Sequence, residues 1–210
     1  ILIDDLSSDK SFTIAKKLIK KDKKFNLIKR NTKSHAALNI AKGISFINPL
    51  PDDIIINLDG DDWLENKYVF EILNKKYNQY KCWMTYGSYK TWPDNNRGLF
   101  SRKISDEIIN KQSYRENTWM SSHLRTYKFK LWNKINQRDL FNEETGKPIK
   151  AVGDQAIMFP LLEMSGHRAL YIDDILYVNN RDNPINEDKV NHPFQNDEEK
   201  YIRNKIKYPL

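Results

Sequence analysis

The stretch IIINLDGDDWL, from Ile54 to Leu64, decides the fold of this 210-residue chain. An apolar run rich in isoleucine ends abruptly at the acidic segment DGDD, from Asp59 to Asp62. A buried central strand delivers carboxylates in this way to the carboxyl edge of an open α/β sheet, which is where such sheets bind ligands. The stretch therefore predicts a central strand followed by a ligand-binding loop.

The acidic segment itself allows two interpretations. Neighbouring carboxylates repel one another, and a hard divalent cation such as Mg²⁺ or Mn²⁺, which prefers oxygen ligands, would neutralise them. The alternative is a solvated acidic turn that caps a helix starting near Trp63. Both remain open from these residues alone, and the metal site is the hypothesis that we favour.

Composition indicates one soluble domain. The chain is 39% hydrophobic, which is enough for one substantial core, and no apolar run approaches the ~20 residues that span a bilayer. The single cysteine, Cys82, fits a reducing compartment, so we expect a cytoplasmic protein. Because the chain begins at Ile1 without a methionine, inside an expected strand, we also expect an upstream segment, which would include any targeting signal.

The net charge of +7 is concentrated between Lys16 and Lys33, where the basic residues face only Asp22. Such a run usually forms the solvated face of a helix. An anionic partner or a membrane surface is the alternative, and we expect no nucleic-acid partner.

Strand and helix patterns alternate along the first half of the chain, which predicts a parallel sheet. The predicted strands are 1–3, 25–28, 54–58, 81–89 and 168–178. The predicted helices are 12–19, 34–46, 66–77, 127–135, 154–164 and 198–206.

Several pieces of this chain, taken in order, resemble family 2 glycosyltransferases of the GT-A fold. They are IDDLSSD at 3–9, HAALNIAKGI at 35–44, LDGDD at 58–62 and GDQ at 153–155. The likeness runs from Ile1 to about Asn180. It implies an α/β fold of the GT-A (Rossmann-like) type, an open, mostly parallel sheet flanked by helices. The strand and IIPTYN-type loop with which the family normally opens are absent from the chain.

The resemblance also implies a domain plan. We expect a GT-A glycosyltransferase domain over residues 1–180, with a nucleotide-sugar half at 1–90 and an acceptor half at 91–180. Residues 181–210 are expected to form a C-terminal extension with a short helix.

The function implied by the resemblance is metal-dependent, inverting sugar transfer. The donor would be a nucleotide sugar, with UDP as the expected nucleotide, the acceptor a glycan or another hydroxyl-bearing molecule, and the cofactor Mn²⁺ or Mg²⁺. Asp59 and Asp61 match the DXD motif, so that Asp59 would lie near ribose and metal and Asp61 would coordinate the ion. Asp154 matches the general base, although the family often has Glu-Asp where this chain has Gly153-Asp154.

Further residues are assigned by resemblance or by position. Asp5 matches a carboxylate that accepts from the uracil imide N–H. Lys33 and His35 precede the second helix and are candidates for contacts to base or phosphate; a surface lysine and a structural histidine are the alternative. His123 matches a histidine that some family members place near sugar and metal. Asp154 also suits a helix N-cap, which aspartate forms well.

Two rival functions are considered. A strand ending in DGDD resembles the nucleophile loop of haloacid dehalogenase-type phosphatases. That loop, however, has Thr or Val shortly after its second aspartate, where this chain has Asp62 and Trp63. The other rival is a non-catalytic carbohydrate or nucleic-acid binding module on a degenerate GT-A scaffold. An intact DXD motif and the downstream Asp154 speak against such decay.

Overall fold

Helices and strands alternate along the first half of the chain, as the sequence predicts. The computed structural model describes residues 1–20, 22–186, 189 and 192–210, apart from the side chains of 192–194. Lys21, one of the basic residues in the run between Lys16 and Lys33, lies outside the described residues. In this half the strands are β1 (Leu2–Asp4), β2 (Leu27–Lys29), β3 (Ile54–Asn57), β4 (Trp63–Leu64) and β5 (Met84–Trp92). The helices are α1 (Ser11–Ile19), α2 (His35–Ile47) and α3 (Val69–Tyr80).

The second half contains shorter elements around one central helix. The strands here are β6 (Arg125–Lys128), β7 (Phe141–Asn142), β8 (Lys147–Pro148) and β9 (Ala169–Asn180). The helices are α4 (Asp106–Asn110), α5 (Phe129–Trp132), α6 (Gly153–Ser165) and α7 (His192–Arg203).

The central sheet is mixed, and only in part parallel. Its strand order is β3-β6-β5-β9-β4, in which β5 and β9 pair in parallel while the other neighbours are antiparallel. A separate pair, β1 and β2, is parallel. The expectation of a mostly parallel sheet thus needs correction, because β6 inserts between β3 and β5 against their direction.

Two predicted local structures are wrong. Residues 127–135 were expected to form one helix, but Tyr127 belongs to strand β6 and only the short α5 follows. No helix starts near Trp63 either, since this residue opens β4 and pairs with Val178 of β9. The acidic segment between Asp59 and Asp62 therefore does not cap a helix.

Helix α6 forms the centre of the main core. Every residue from Gly153 to Ser165 is buried except Asp154, which lies in the first turn. A helix that is apolar on all sides is expected to lie inside a protein, so the pattern explains this position. Asp154 is therefore the polar end of an otherwise buried element.

Helix α1, by contrast, contains no buried residue. Its lysines are exposed, in agreement with a solvated basic helix face. Across the described ranges, no helix combines the length and the apolarity that a bilayer crossing requires.

Candidate active site

A cleft of about 1400 Å³ opens where β3, β5 and β9 end and where β6, α2 and α6 begin. All of the residues assigned from the sequence line it: Asp5, Lys33, His35, Asp59, Asp61, His123 and Asp154. The fold therefore brings together side chains that are far apart in the sequence.

Asp59, Asp62 and His123 form the cluster best suited to a metal ion. One ligand atom from each of the three lies within 4.8 Å of the others. Asp59 follows β3 directly, while His123 precedes β6, the antiparallel neighbour of β3. The pairing of these strands therefore places an imidazole beside the carboxylates.

His123 has the properties of a neutral metal ligand. Its ring stacks on Tyr177 at 4.4 Å and meets Tyr89 edge-on at 5.3 Å between centroids. Burial, with the positive charge of Arg125 nearby, holds the pKa of His123 well below its usual range. Its Nδ1 atom is buried without a hydrogen-bond partner and lies 3.8 Å from Asp59 Oδ2. Neutral imidazole nitrogen is the form that binds metal ions.

Asp62 is held by the last residues of β9. Its carboxylate accepts hydrogen bonds from the Tyr177 hydroxyl at 2.7 Å, from Asn179 Nδ2 at 3.1 Å and from the Asn180 backbone N–H at 2.7 Å. Burial raises the pKa of Asp62, although these hydrogen bonds oppose that change. The carboxylate is thus fixed in place beside Asp59.

Asp61 lies apart from this cluster. Its side chain is exposed, and Oδ2 accepts a hydrogen bond from Asn183 Nδ2 at 2.6 Å. The sequence assigned the metal to Asp59, Asp61 and His123, and the structure groups Asp59 and His123 with Asp62 instead. The role of Asp61 as a metal ligand stays a prediction.

Arg125 connects the acidic cluster to Asp154. This buried guanidinium lies 3.2 Å from Asp59 Oδ2 through Nη2 and 3.1 Å from Asp154 Oδ2 through Nη1. Arg125 is positioned by β6, where it pairs with Asn57 at the end of β3. One positive charge therefore lies between the predicted metal ligand and the predicted base.

Asp154 is a carboxylate with an increased affinity for protons. Burial raises its pKa, and the charge of Arg125 acts in the opposite direction. Oδ1 accepts from the backbone N–H of Gln155 at 2.8 Å, and the side chain is still 31% exposed. A reachable carboxylate with a raised pKa suits the acceptance of a proton.

The structure explains why Gly153 precedes Asp154. A Cβ at position 153 would lie 3.1 Å from Ala37 Cβ and 3.2 Å from Ala37 N, which is tighter than ordinary packing. The starts of α2 and α6 approach closely here, so the Glu-Asp pair common in the family would need this contact to open.

Asp5 anchors the start of α2. Its two carboxylate oxygens accept the backbone N–H groups of Ser34 at 2.8 Å and His35 at 2.9 Å. Lys33 Nζ lies 3.8 Å from the same carboxylate. Burial lowers the pKa of His35, with smaller and opposing effects from nearby charges. These residues line the cleft, but their contacts to a nucleotide stay predictions.

Arg125 and Tyr177 are the functional residues that sequence reasoning missed. Arg125 stands only two positions after His123, and Tyr177 lies within the predicted last strand. Polar residues at the ends of neighbouring strands meet at one sheet edge, so the pairing of β6 with β3 and of β9 with β5 would have indicated both. That pairing was not known from the sequence.

Comparisons with known proteins agree with this architecture. Glycosyltransferase GlyA of Streptococcus pneumoniae is 22% identical over 183 residues, which cover 85% of this chain and 25% of that protein. The crystal structure of S. aureus TarS has a TM-score of 0.58 at 15% identity, covering 85% of this chain and 30% of that chain. A structure of S. aureus TarS 1-349 in complex with UDP-GlcNAc has a TM-score of 0.57 at 14% identity, covering 85% and 48%. The chain thus spans from a quarter to about half of these relatives.

A family model described as "Glycosyl transferase family 2" matches residues 1–159, which is most of the chain. The match includes the acidic segment after β3, the strand that carries Arg125, and the start of α6 with Asp154. The phosphatase interpretation does not agree with this assignment. The chain belongs to glycosyl transferase family 2.

Proposed function

We propose that this protein transfers a sugar from a UDP-linked donor to a hydroxyl group of an acceptor, with inversion at the anomeric carbon. The observation that carries the proposal is the arrangement of Asp59, Asp62 and His123 on one side of Arg125 and Asp154 on the other. Acidic and imidazole ligands thus lie beside a carboxylate able to accept a proton, within one cleft. Family membership supports the reaction class.

The residues present fit a divalent cation, Mn²⁺ or Mg²⁺. Carboxylate oxygens of Asp59 and Asp62 and the unpartnered Nδ1 of His123 would hold it, with Asp61 as a further oxygen ligand. When bound, the cation supplies positive charge that offsets the negative charge of the departing nucleoside diphosphate. Arg125, close to the same site, would add a permanent positive charge to that balance.

Asp154 is assigned the role of general base. Its carboxylate takes the proton of the acceptor hydroxyl while that oxygen forms a bond to the anomeric carbon. The bond from that carbon to the diphosphate oxygen breaks, and UDP leaves with the electron pair. Since attack comes from the face opposite the leaving group, the product has inverted configuration.

The donor half of the cleft is assigned to residues 1–90. Asp5, Lys33 and His35 lie together at the start of α2, where the Asp5 carboxylate accepts the backbone N–H groups of Ser34 and His35. Lys33, whose side chain is 64% exposed, supplies a positive charge at this edge of the cleft that a phosphate could approach. The TarS complex with UDP-GlcNAc supports UDP as the nucleotide. We assign the acceptor, a glycan or another hydroxyl-bearing molecule, to residues 91–180, with 181–210 as a C-terminal extension.

A panel of nucleotide sugars, tested with Mn²⁺ and simple glycan acceptors, would test the proposal through released nucleoside diphosphate.

Asp154→Asn should retain the melting temperature and UDP binding while transfer falls by about 10²-fold, the usual scale for losing a positioned base. Asp174→Asn is the matched control, because it is 63% exposed on β9 and away from the cleft. Near-normal transfer by Asp154→Asn, or a product of retained configuration, would contradict the mechanism. Binding of UDP or a glycan without turnover of any donor would indicate a non-catalytic module.

A further inference from the structure

Helix α7, which follows the residues matched by the family, reaches the loop that presents Asp154. The Glu198 carboxylate accepts the backbone N–H of Lys150 at 3.0 and 3.1 Å, one distance to each oxygen. The same carboxylate accepts the backbone N–H of Ala151 at 2.7 Å through Oε2. These two amides lie directly before Val152 and the first turn of α6.

Local side chains cap the start of α6 only in part: Asp154 Oδ1 accepts the backbone N–H of Gln155, one residue further on. Val152 occupies the N-cap position, and its apolar side chain makes no capping hydrogen bond. A helix start normally needs acceptors for its free N–H groups and favours a negative charge nearby. Glu198, from a helix more than forty residues away, supplies a charged acceptor just ahead of that start.

Helix α7 packs on the main core, and its contacts hold Glu198 in place. Ile202 is 1% exposed and packs in the main core. Arg203 Nη1 donates to the backbone carbonyls of Arg115 at 2.6 Å and Asn117 at 2.8 Å, and Arg203 forms an ion pair with Glu199 at 2.7 Å. On the opposite side, Gly153 lies against Ala37. The first turn of α6 is thus held between α2 and α7.

We propose that Glu198 is a positioning residue for sugar transfer, which holds the 150–152 segment so that Asp154 points into the cleft. The inference rests on the proposed function, since Glu198 would affect the rate of sugar transfer by positioning Asp154. A catalytic group displaced by about 1 Å can lose about 10²-fold in rate, so an anchor of this kind affects turnover more than binding. The residues to which we assign the donor lie on other elements, at α2 and after β3.

The central experiment compares Glu198→Ala with Asp197→Ala, which removes the same charge from an exposed neighbour on α7. Glu198→Ala should lower kcat at least about tenfold, while the KM for donor and the calorimetric affinity for UDP stay within about twofold. Asp197→Ala should leave all three unchanged. Glu198→Gln should recover most of kcat, because an amide oxygen at the Oε2 position can still accept from both N–H groups.

Amide hydrogen exchange on the same proteins provides a readout independent of activity. Faster exchange at Lys150 and Ala151 in Glu198→Ala alone would support the anchor. A kcat per folded molecule equal to that of Asp197→Ala would overturn the proposal, as would unchanged exchange. If Glu198→Ala does not fold, Glu198→Asp, which withdraws the carboxylate by one methylene, takes its place with the same expected pattern. Absence of turnover in the unaltered protein would instead refute the proposed function, and unchanged exchange would then refute the anchor separately.

Discussion

Arg125 has the largest influence on the charges of the cleft, because it touches both Asp59 and Asp154. Its side chain is 6% exposed, so its charge is poorly screened by water. Two carboxylates that would otherwise repel each other can lie in one site because this cation separates them. The pKa of Asp154 therefore depends on a residue outside both sequence motifs.

Arg125→Gln should shift the acid limb of the kcat profile to higher pH. Burial raises the pKa of Asp154 and Arg125 lowers it, so removing the arginine should raise the pKa further. Since only the deprotonated carboxylate accepts a proton, activity would then be lost at a higher pH as the solution is acidified. The measurement is kcat against pH for Arg125→Gln, with Arg125→Lys as the charge-preserving control. An acid limb that is unmoved or lower in pH would contradict the expected coupling.

Asp61→Asn should weaken UDP binding in Mn²⁺ without changing stability. Its exposed carboxylate accepts a hydrogen bond from Asn183 near the surface, so the fold loses little. The diphosphate of UDP would complete the coordination of the divalent ion. Loss of one oxygen ligand should therefore weaken the binding of the ion and of UDP together. Calorimetry of UDP with and without Mn²⁺ would show this, with Asp182→Asn, an exposed carboxylate in the loop after β9, as control. If Asp61→Asn and the unaltered protein bind UDP equally well in Mn²⁺, Asp61 is not a metal ligand, and Asp62 is the more suitable candidate.

The residues of the site were partly predictable for a physical reason. Asp59 and Asp154 stand at the end of a strand and the start of a helix, and sequence patterns mark such boundaries. Arg125 has no comparable mark, because its importance comes from the strand that it happens to lie beside. The sequence did not single out Asp62 as a metal ligand for the same reason: its partners Tyr177, Asn179 and Asn180 are distant in sequence.

At the scale of elements, the predictions succeeded for long segments, including the buried helix α6, and failed for a short apolar run. Helix α2 and strand β5 were expected within a few residues of where they lie. Strand β6 was taken for a helix, because short apolar runs fit both periods and the tertiary pairing decides. In the sheet, Tyr127 of β6 is 0% exposed and lies between β3 and β5, so its environment and not its local sequence selects the strand.

The loop after β5 packs through a glycine onto Tyr89, beside the candidate metal site at Asp59, Asp62 and His123. A Cβ at Gly98 would lie 2.1 to 2.4 Å from three atoms of the Tyr89 ring, which itself meets His123 edge-on. Gly98→Ala should therefore displace either the loop or the ring, with a loss of about 1–3 kcal/mol of stability and weaker Mn²⁺-dependent UDP binding. Melting curves and calorimetry would measure both effects. Gly60→Ala is the stability control, because nothing lies within 4 Å of its added Cβ, and an equal melting loss for both variants would contradict the argument.

At the scale of the whole molecule, a buried ion pair attaches the C-terminal residues to the core. Arg115 and Glu163 are 3% and 0% exposed, and two bonds of 2.5 and 2.9 Å join them. Arg115 also donates to the backbone carbonyl of Ile202 at 2.6 Å, while Glu163 accepts from the backbone N–H of Tyr208 at 3.0 Å. The last helix and the chain beyond it thus depend on the same pair.

Arg115→Ala should lower the free energy of unfolding by about 3–5 kcal/mol, because it leaves the Glu163 charge buried without its partner. Chemical denaturation would measure the loss. Lys111→Ala is the control, since it breaks an exposed pair with Glu107 at 2.8 Å whose loss should cost no more than about 0.5 kcal/mol. A similar small effect for both substitutions would show that Glu163 is satisfied without Arg115.

The parallel pairing of β5 with β9 sets the order in which the protein can become functional. Asp62 and its partners Tyr177 and Asn180 are separated by 115 and 118 positions, so these contacts close a long loop. Long-range strand pairing is slow to form, because the chain loses conformational entropy on closing the loop before stabilising contacts offset that loss. During synthesis, a nascent chain would display the acidic loop well before β9 has left the ribosome. We therefore expect ligand binding to be acquired late in folding, so that refolding experiments find recovery of UDP binding slower than recovery of helix content.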